Sequence, residues 1–288
     1  MLRIGFVDRW LDNWHTNHYP DYLRLASRMY GMPAEIVAAW AESDAPEGLT
    51  TDAWCAAHRV ERAANYEELV TGVDAILVLC ADDCLPHEAL AHQALAGGKP
   101  VYCDKTFAPD LDAGARMFAH AQAHGTPVFS CSAQRWCMEL LAWQMNHPGP
   151  ARHCATTGPG DMVNYSIHQF EMLEALLGTG AQHCRALPGG DARRLLYQWE
   201  DGRSASFAQG QGLPFTLEVS ATGAEGDTES LAVLEYYMNF MHTLLTFFAD
   251  GNPPVAEADT LAILAMQQSG REALTRPGDW VTLQEVRA

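Results

Sequence analysis

Val73-Asp74-Ala75-Ile76-Leu77-Val78-Leu79-Cys80 is the stretch on which the fold turns. From Ala75 to Cys80 every position is apolar. A strand with one wet face alternates apolar and polar residues, whereas a strand covered on both faces is apolar throughout, as in a parallel sheet flanked by helices. Working outward, Arg3-Ile4-Gly5-Phe6-Val7 and Glu35–Trp40 read as strands before it, with helical periodicity in Asp21–Tyr30 and Tyr66–Val70. After it come a helix from Pro86 to Ala96 stopped by Gly97-Gly98, and a strand at Pro100–Cys103. A helix from Leu111 to His124 and a strand at Pro127–Ser130 follow. Strand and helix alternating at this spacing predict an α/β fold, a Rossmann-like doubly wound parallel sheet.

Beyond residue 132 the pattern changes. A helix is expected at Cys137–Met145 and, after the breaker cluster Asn146–Pro150, another at Tyr165–Leu177. Strands are expected at Arg194–Trp199, Ser204–Gln209 and Phe215–Thr222, with turn residues between them. Helices are expected at Thr228–Phe248 and Glu257–Leu274. Neighbouring strands joined by short turns predict a C-terminal α+β domain with a largely antiparallel sheet. The expected division is 1–132 for the doubly wound domain and 133–288 for the α+β domain.

The 288 residues are 48% hydrophobic and 19% charged, which suffices for a buried core and excludes disordered and fibrous classes. Asp and Glu total 36 against 18 Lys and Arg, a formal net charge of −18. Duplex nucleic acid and anionic membrane surfaces need cationic patches, so neither is an expected partner. The eight cysteines include no CxxC pair, and no apolar run approaches the roughly 18 residues of a membrane span. MLRIGFVDRW is too short and too charged for a secretory signal, so a reducing cytoplasm is the expected location.

Several motifs, in order, resemble the Gfo/Idh/MocA family of sugar and polyol oxidoreductases. Val73–Val78 resembles its VDAVxV strand, and Leu85-Pro86-His87-Glu88-Ala89 falls at its His-containing turn into a helix. Gly98–Thr106 resembles its GKHVxxEKP segment, and Gln134-Arg135-Trp136 sits where NRR/F is usual. Asn164–Glu171 resembles DxGxHxxD, and Gly223–Asp227 resembles a GTEG turn. The resemblance implies NAD or NADP as cofactor, a small polar substrate and a homo-oligomer. It implies that Lys105 and His168 are catalytic, Lys105 polarising the reacting oxygen and His168 taking the hydroxyl proton. Asn164, Tyr165, Arg135 and His87 then contact substrate, and Asp8, Arg9, Glu42 and Asp104 contact the dinucleotide.

One departure bears directly on that cofactor. The family's first strand runs into GxGxxG, where bare backbone lets amides approach the pyrophosphate at a helix N-terminus. Here no glycine follows Gly5 until Gly31, and Asp8 stands at the first glycine position. A carboxylate there repels a pyrophosphate, and Trp10 blocks close backbone approach. Arg9 offers a cation in their place. Asp8, Asp12, His15 and His18 form a polar cluster whose spacing makes His15 and His18 candidate metal ligands, although Asn13-Trp14 and Tyr19-Pro20 suggest an irregular loop. No metal site is expected. Three functions stay open on the residues alone: a hydride-transferring dehydrogenase, a non-redox lyase, isomerase or hydrolase using Lys105 and His168, and a non-catalytic binding subunit.

Overall fold

The computed structural model describes residues 1–80, 82–147, 149–220 and 228–284. The chain divides into two compact units, Met1–Ser130 with Phe240–Ala256, and Cys131–Asn239 with Glu257–Ala288. The first break falls between Ser130 and Cys131. Residues 240–256, however, pack in the first unit rather than the second. The cause is an apolar helix face: Phe240 meets Tyr19 and Tyr102, and Phe247 meets Phe129, all within the first unit.

In chain order the first unit holds β1 (Leu2–Asp8), α1 (Trp14–Tyr30), β2 (Ala34–Ala41), α2 (Thr51–His58), β3 (Glu61–Arg62) and α3 (Tyr66–Gly72). It continues with β4 (Ala75–Val78), α4 (His87–Leu95), β5 (Val101–Cys103), α5 (Leu111–Ala123) and β6 (Val128–Phe129). The sheet order is β3-β2-β1-β4-β5-β6, with every neighbouring pair parallel. β4 is buried at all its positions, as its unbroken apolar run requires. Chain order reverses between β1 and β4, and ligands of open α/β sheets sit in the crevice at that point, outside the carboxyl ends of the strands. Gly5 lets α3 close on β1: a Cβ there would lie 3.0 Å from Leu69 Cδ2 and 3.2 Å from Val73 Cγ1.

Helix α1 corrects the sequence reading. It begins at Trp14, so the expected irregular loop over Asn13–Pro20 is helical from its second residue onward. Asn13 caps it, and Thr16 completes a capping box. Pro20 lies inside the helix, buried with Tyr19 and Leu23 against the sheet, so tertiary packing overrides its breaker tendency. Gly31 closes α1 in the left-handed conformation, at φ 66°.

The second unit holds a 3₁₀ turn (Ala133–Trp136), α6 (Met138–Asn146), β7 (His153–Gly158), α7 (Ser166–Leu177), β8 (Ala181–Ala186) and β9 (Arg193–Trp199). Then come β10 (Ser204–Gln209), β11 (Thr216–Ser220), β12 (Thr228–Leu231), α8 (Tyr237–Asp250), α9 (Glu257–Thr275) and β13 (Trp280–Thr282). From Phe240 onward, α8 belongs to the first unit. The seven-stranded sheet runs β12-β11-β7-β10-β9-β8-β13, antiparallel except for β7 with β10. The helix expected over Thr228–Phe248 is instead a strand followed by a later helix. β12 pairs with β11 through Leu217 and Leu231, and helical structure starts only at Tyr237. The GTEG-like segment Gly223–Asp227 lies outside the described residues. Phe170 of α7 stacks on Phe207 of β10 at 4.9 Å, and Tyr197 of β9 donates to the Met266 carbonyl of α9 at 2.8 Å. These contacts fix α7, which carries His168. No described helix is long and apolar enough to cross a membrane.

Candidate active site

Asp8 ends β1, Asp104 and Lys105 follow β5, and His87 opens α4 after β4, so adjacent strands deliver all four to the carboxyl edge of the first sheet. Asp104 is fully buried. Its Oδ1 accepts from the Tyr102 hydroxyl at 3.0 Å and the Lys105 amide at 2.8 Å. Its Oδ2 lies 2.5 Å from Nδ1 of His15, in the first turn of α1. Burial pushes the Asp104 carboxyl up, but His15, by charge and hydrogen bond, and Lys105, by charge and amide, outweigh it and hold the pKa at about 2. Asp104 is therefore a carboxylate at neutral pH. Lys105 is itself buried, at 8% exposure.

Asp8 behaves in the opposite way. Burial pushes its pKa up to about 7 and the Asp104 charge adds to this, while hydrogen bonds from Asn13 and from the Cys80 and Arg9 backbone oppose it. The Asp8 carboxyl accepts from the Arg9 amide at 2.6 Å and from Asn13 Nδ2 at 2.9 Å. His87 is fully buried, and its Nδ1 faces the Phe107 carbonyl at 3.1 Å. Burial lowers its pKa against the pull of Asp104, which keeps the ring neutral.

The same contacts test whether the first turn fits a dinucleotide pyrophosphate. The amides a phosphate would take at the start of α1 belong to His15 and Thr16, and both donate to Asn13 Oδ1, at 3.0 and 3.2 Å. Asn13 Nδ2 also donates to the Trp10 carbonyl at 2.9 Å. Leu11 is buried, and its carbonyl accepts from the Thr16 hydroxyl. Donors are spent inside the protein and a buried carboxyl stands behind them. The turn does not fit a pyrophosphate held in the manner of a glycine loop. Arg9 and Glu42 remain at its rim. Arg9 lies over the Trp10 ring, 3.6 Å from Asp83, and Glu42 is exposed with its amide on the Asp8 carbonyl.

In the second unit, His168 on α7 places Nδ1 2.6 Å from the Ser132 hydroxyl. Ser132 in turn accepts from the Gln134 amide at 3.2 Å, which fixes the 3₁₀ turn against α7. Asn164 and Tyr165 precede α7, so Asn164 does not stand on the helix that carries His168 and Glu171. Asp161 holds the Asn164 amide at 2.9 Å. Tyr165 is exposed, with its ring edge-on to His168 at 5.9 Å. Arg135 is committed elsewhere: Nη1 lies 3.1 Å from Glu171 Oε2 and 2.7 Å from Glu174 Oε2. A guanidinium between two buried carboxylates is a structural brace rather than an arm toward substrate.

His15 and His18 do not meet as ligands. His15 is turned to Asp104, and His18 bonds the Trp14 carbonyl and stacks on the Trp14 ring at 4.3 Å. No group of three or more His, Cys, Asp or Glu residues suited to a metal ion exists among the described residues. All eight cysteines are free and buried. The sequence reading misses Asn13, Tyr102 and Ser132. Asn13 has a legible signal, a cap residue three before a hydroxyl residue. The other two act through contacts across the fold.

Residues 14–131 match the family model described as oxidoreductase family, NAD-binding Rossmann fold. No curated protein matches the chain. Among solved structures, an NAD-binding oxidoreductase from Klebsiella pneumoniae is similar at TM-score 0.80 and 15% identity, over 99% of each chain. A myo-inositol dehydrogenase from Lactobacillus casei, solved with NAD(H) and myo-inositol, is similar at TM-score 0.79 and 13% identity, over 100% of this chain and 98% of that one. A UDP-N-acetylglucosamine 3-dehydrogenase from Acidithiobacillus ferrooxidans is similar at TM-score 0.74 and 14% identity, over 94% and 97%. At these identities the likeness is one of fold.

Proposed function

We propose, from the premise that the first unit carries the NAD-binding Rossmann fold of the Gfo/Idh/MocA oxidoreductases, that this protein is an NAD(P)-linked oxidoreductase of a secondary alcohol on a sugar, cyclitol or related polyol. The observation that carries the reading is Lys105, buried beside the ionised Asp104 at the carboxyl edge of a sheet with the switch-point order. A buried ammonium next to one fixed carboxylate polarises a substrate oxygen and stabilises negative charge that develops on it. His168, oriented by Ser132, is the second-unit group suited to exchanging the hydroxyl proton. His87, neutral at the same edge of the first unit, suits a polar, uncharged substrate.

The closed first turn sets the expected strength of cofactor binding. Losing several charge-assisted bonds of about 1.5–3 kcal/mol each moves a micromolar dinucleotide toward roughly millimolar affinity. Calorimetric titration with NADH and NADPH, with assays of NAD⁺ and NADP⁺ against a panel of cyclitols and sugars, tests the proposal. Saturable binding of one dinucleotide and its reduction by at least one polyol are expected. No heat with either at about 10 mM, and no turnover, would overturn the redox reading.

Asp8 and Asn13 favour a second reading. An enzyme of non-redox proton chemistry, a lyase or isomerase, has no need of the turn as a phosphate cradle and can fill it with its own side chains. Product formed from a polyhydroxy substrate without any nicotinamide would establish it in place of the first.

A further inference from the structure

Arg9 follows β1 and Asp83 follows β4, the two strands between which chain order reverses, and their side chains meet across that junction. We propose that Arg9 is the residue that holds the pyrophosphate of the dinucleotide: its guanidinium leaves Asp83 for the phosphates and takes the part that a glycine turn plays elsewhere. The inference deepens the proposed function and rests on its reading of a nicotinamide dinucleotide as cofactor.

The distribution of charge is the first ground. A pyrophosphate bridge is a dianion and needs cations or free amides around it. The amides of His15 and Thr16 are taken by Asn13. The connections after β1, β2, β4 and β5, at the carboxyl edge of the sheet, carry Asp12, Glu42, Asp44, Asp82 and Asp83 among other acids. Against these stand two permanent cations, Arg9 and Lys105. Lys105 is buried beside the ionised Asp104. Arg9 is therefore the cation left for an anion that arrives from solvent.

The second ground is that Arg9 is anchored by its backbone while its head is barely engaged. Its amide donates to the Asp8 carboxyl at 2.6 Å, and its carbonyl accepts from the Ser43 amide at 2.9 Å. The guanidinium lies over the Trp10 ring, 4.8 Å from the centroid, a contact that uses the face of the cation and leaves its N–H edge for other partners. Nη1 stands 3.6 Å from Asp83 Oδ2, beyond hydrogen-bond distance, and the two side chains are 41% and 38% exposed. An ion pair so exposed and so long is weak. A phosphate offers the same guanidinium two parallel charge-assisted bonds, so the exchange favours the phosphate.

The third ground is the fixed position of the competitor. Asp83 Oδ1 accepts from the Leu85 amide at 3.0 Å, which keeps the carboxylate in place when Arg9 moves away. Arg9 also acts on the crevice from this rim. Burial pushes the Cys80 thiol, just past β4, up to about 12; Asp8 and Asp83 add to this, and the Arg9 charge opposes it. Asp83 is thus an internal stand-in for the phosphates, and the Asn13 cap stays closed while they bind.

Calorimetric titration of the full chain with NADH and NADPH, beside Arg9→Gln, Asp83→Asn and the double variant, tests the inference. Arg9→Gln is expected to raise Kd about 10–100-fold and to flatten the rise of Kd with added salt. Asp83→Asn is expected to lower Kd about 2–5-fold, a gain that damage to the fold does not produce. In the double variant that gain should shrink, because the lost carboxylate then has no cation to release. Three results each overturn the inference and leave the redox reading standing: a Kd unchanged in Arg9→Gln, a Kd that does not fall in Asp83→Asn, or a gain from Asp83→Asn equal with and without Arg9. Absence of binding of either dinucleotide to the unaltered chain overturns both.

Discussion

Asp104→Asn is expected to lower kcat by about 10²–10³-fold, because it removes the fixed negative charge beside Lys105, the group that polarises the substrate oxygen. In this variant the side-chain amide oxygen must stay where the Tyr102 hydroxyl and the Lys105 amide donate, because both donors meet Oδ1 of the native carboxylate. The side-chain amide nitrogen is then turned toward His15. It can only donate, so Nδ1 of His15 becomes the acceptor and the ring proton moves to Nε2. A kcat and KM measurement together with the ¹⁵N tautomer of His15 checks this, since a merely structural loss would leave the tautomer unchanged. Stability gives a third readout. The folded pKa of Asp104, about 2, lies below its ordinary 3.8, so its contribution is present above pH 4 and lost as pH falls through 2. The stability deficit of Asp104→Asn should accordingly shrink on acidification.

The second large effect concerns Arg135. Arg135→Met is expected to destabilise the protein by about 3–5 kcal/mol at pH 8, because it leaves Glu171 and Glu174 buried without their cation. Burial pushes the Glu171 pKa up to about 7; the Arg135 charge opposes this and the Glu174 charge adds to it. Burial raises Glu174 as well. Without the guanidinium both rise further. A carboxyl whose folded pKa exceeds its unfolded value binds more protons in the native state, so stability falls as pH climbs from about 4.5 through the folded value. The deficit of Arg135→Met should be small near pH 5 and largest at pH 8. Urea denaturation of both chains at the two pH values checks it. A deficit independent of pH would mean that lost packing, rather than unpaired charge, is the cause.

Much of the first unit is legible in the sequence because its strands are buried on both faces. Ala75–Val78 announces itself by composition, and the helices on either side are bounded by Pro and Gly. β3, with two residues, is too short to carry a period, and α2 has only Thr51, Trp54 and Cys55 buried. In the second unit β7 escapes the sequence reading because His153-Cys154-Ala155-Thr156-Thr157-Gly158 alternates burial using small and hydroxyl residues, which hydropathy alone does not separate. The start of α1 is obscured because Pro20 outweighs the Asn13 cap. For the site, residue types are legible and partners are not. His15 stands out as a possible ligand and Asp104 as a possible cofactor contact, but only the pairing of β1, β4 and β5 brings the start of α1 over the end of β5. Arg135 is singled out by motif position, whereas its role follows from Glu171 and Glu174 one turn apart on α7.

The most direct measurement follows the backbone ¹H–¹⁵N resonances of His15 and Thr16 while the full chain is titrated with NADH or NADPH to saturation. Both amides are engaged by Asn13, so both resonances should stay in place while resonances at the rim, such as those of Arg9 and Glu42, move. Large saturable shifts of His15 and Thr16 together would mean that a pyrophosphate displaces the Asn13 cap. The first turn would then be a phosphate cradle after all.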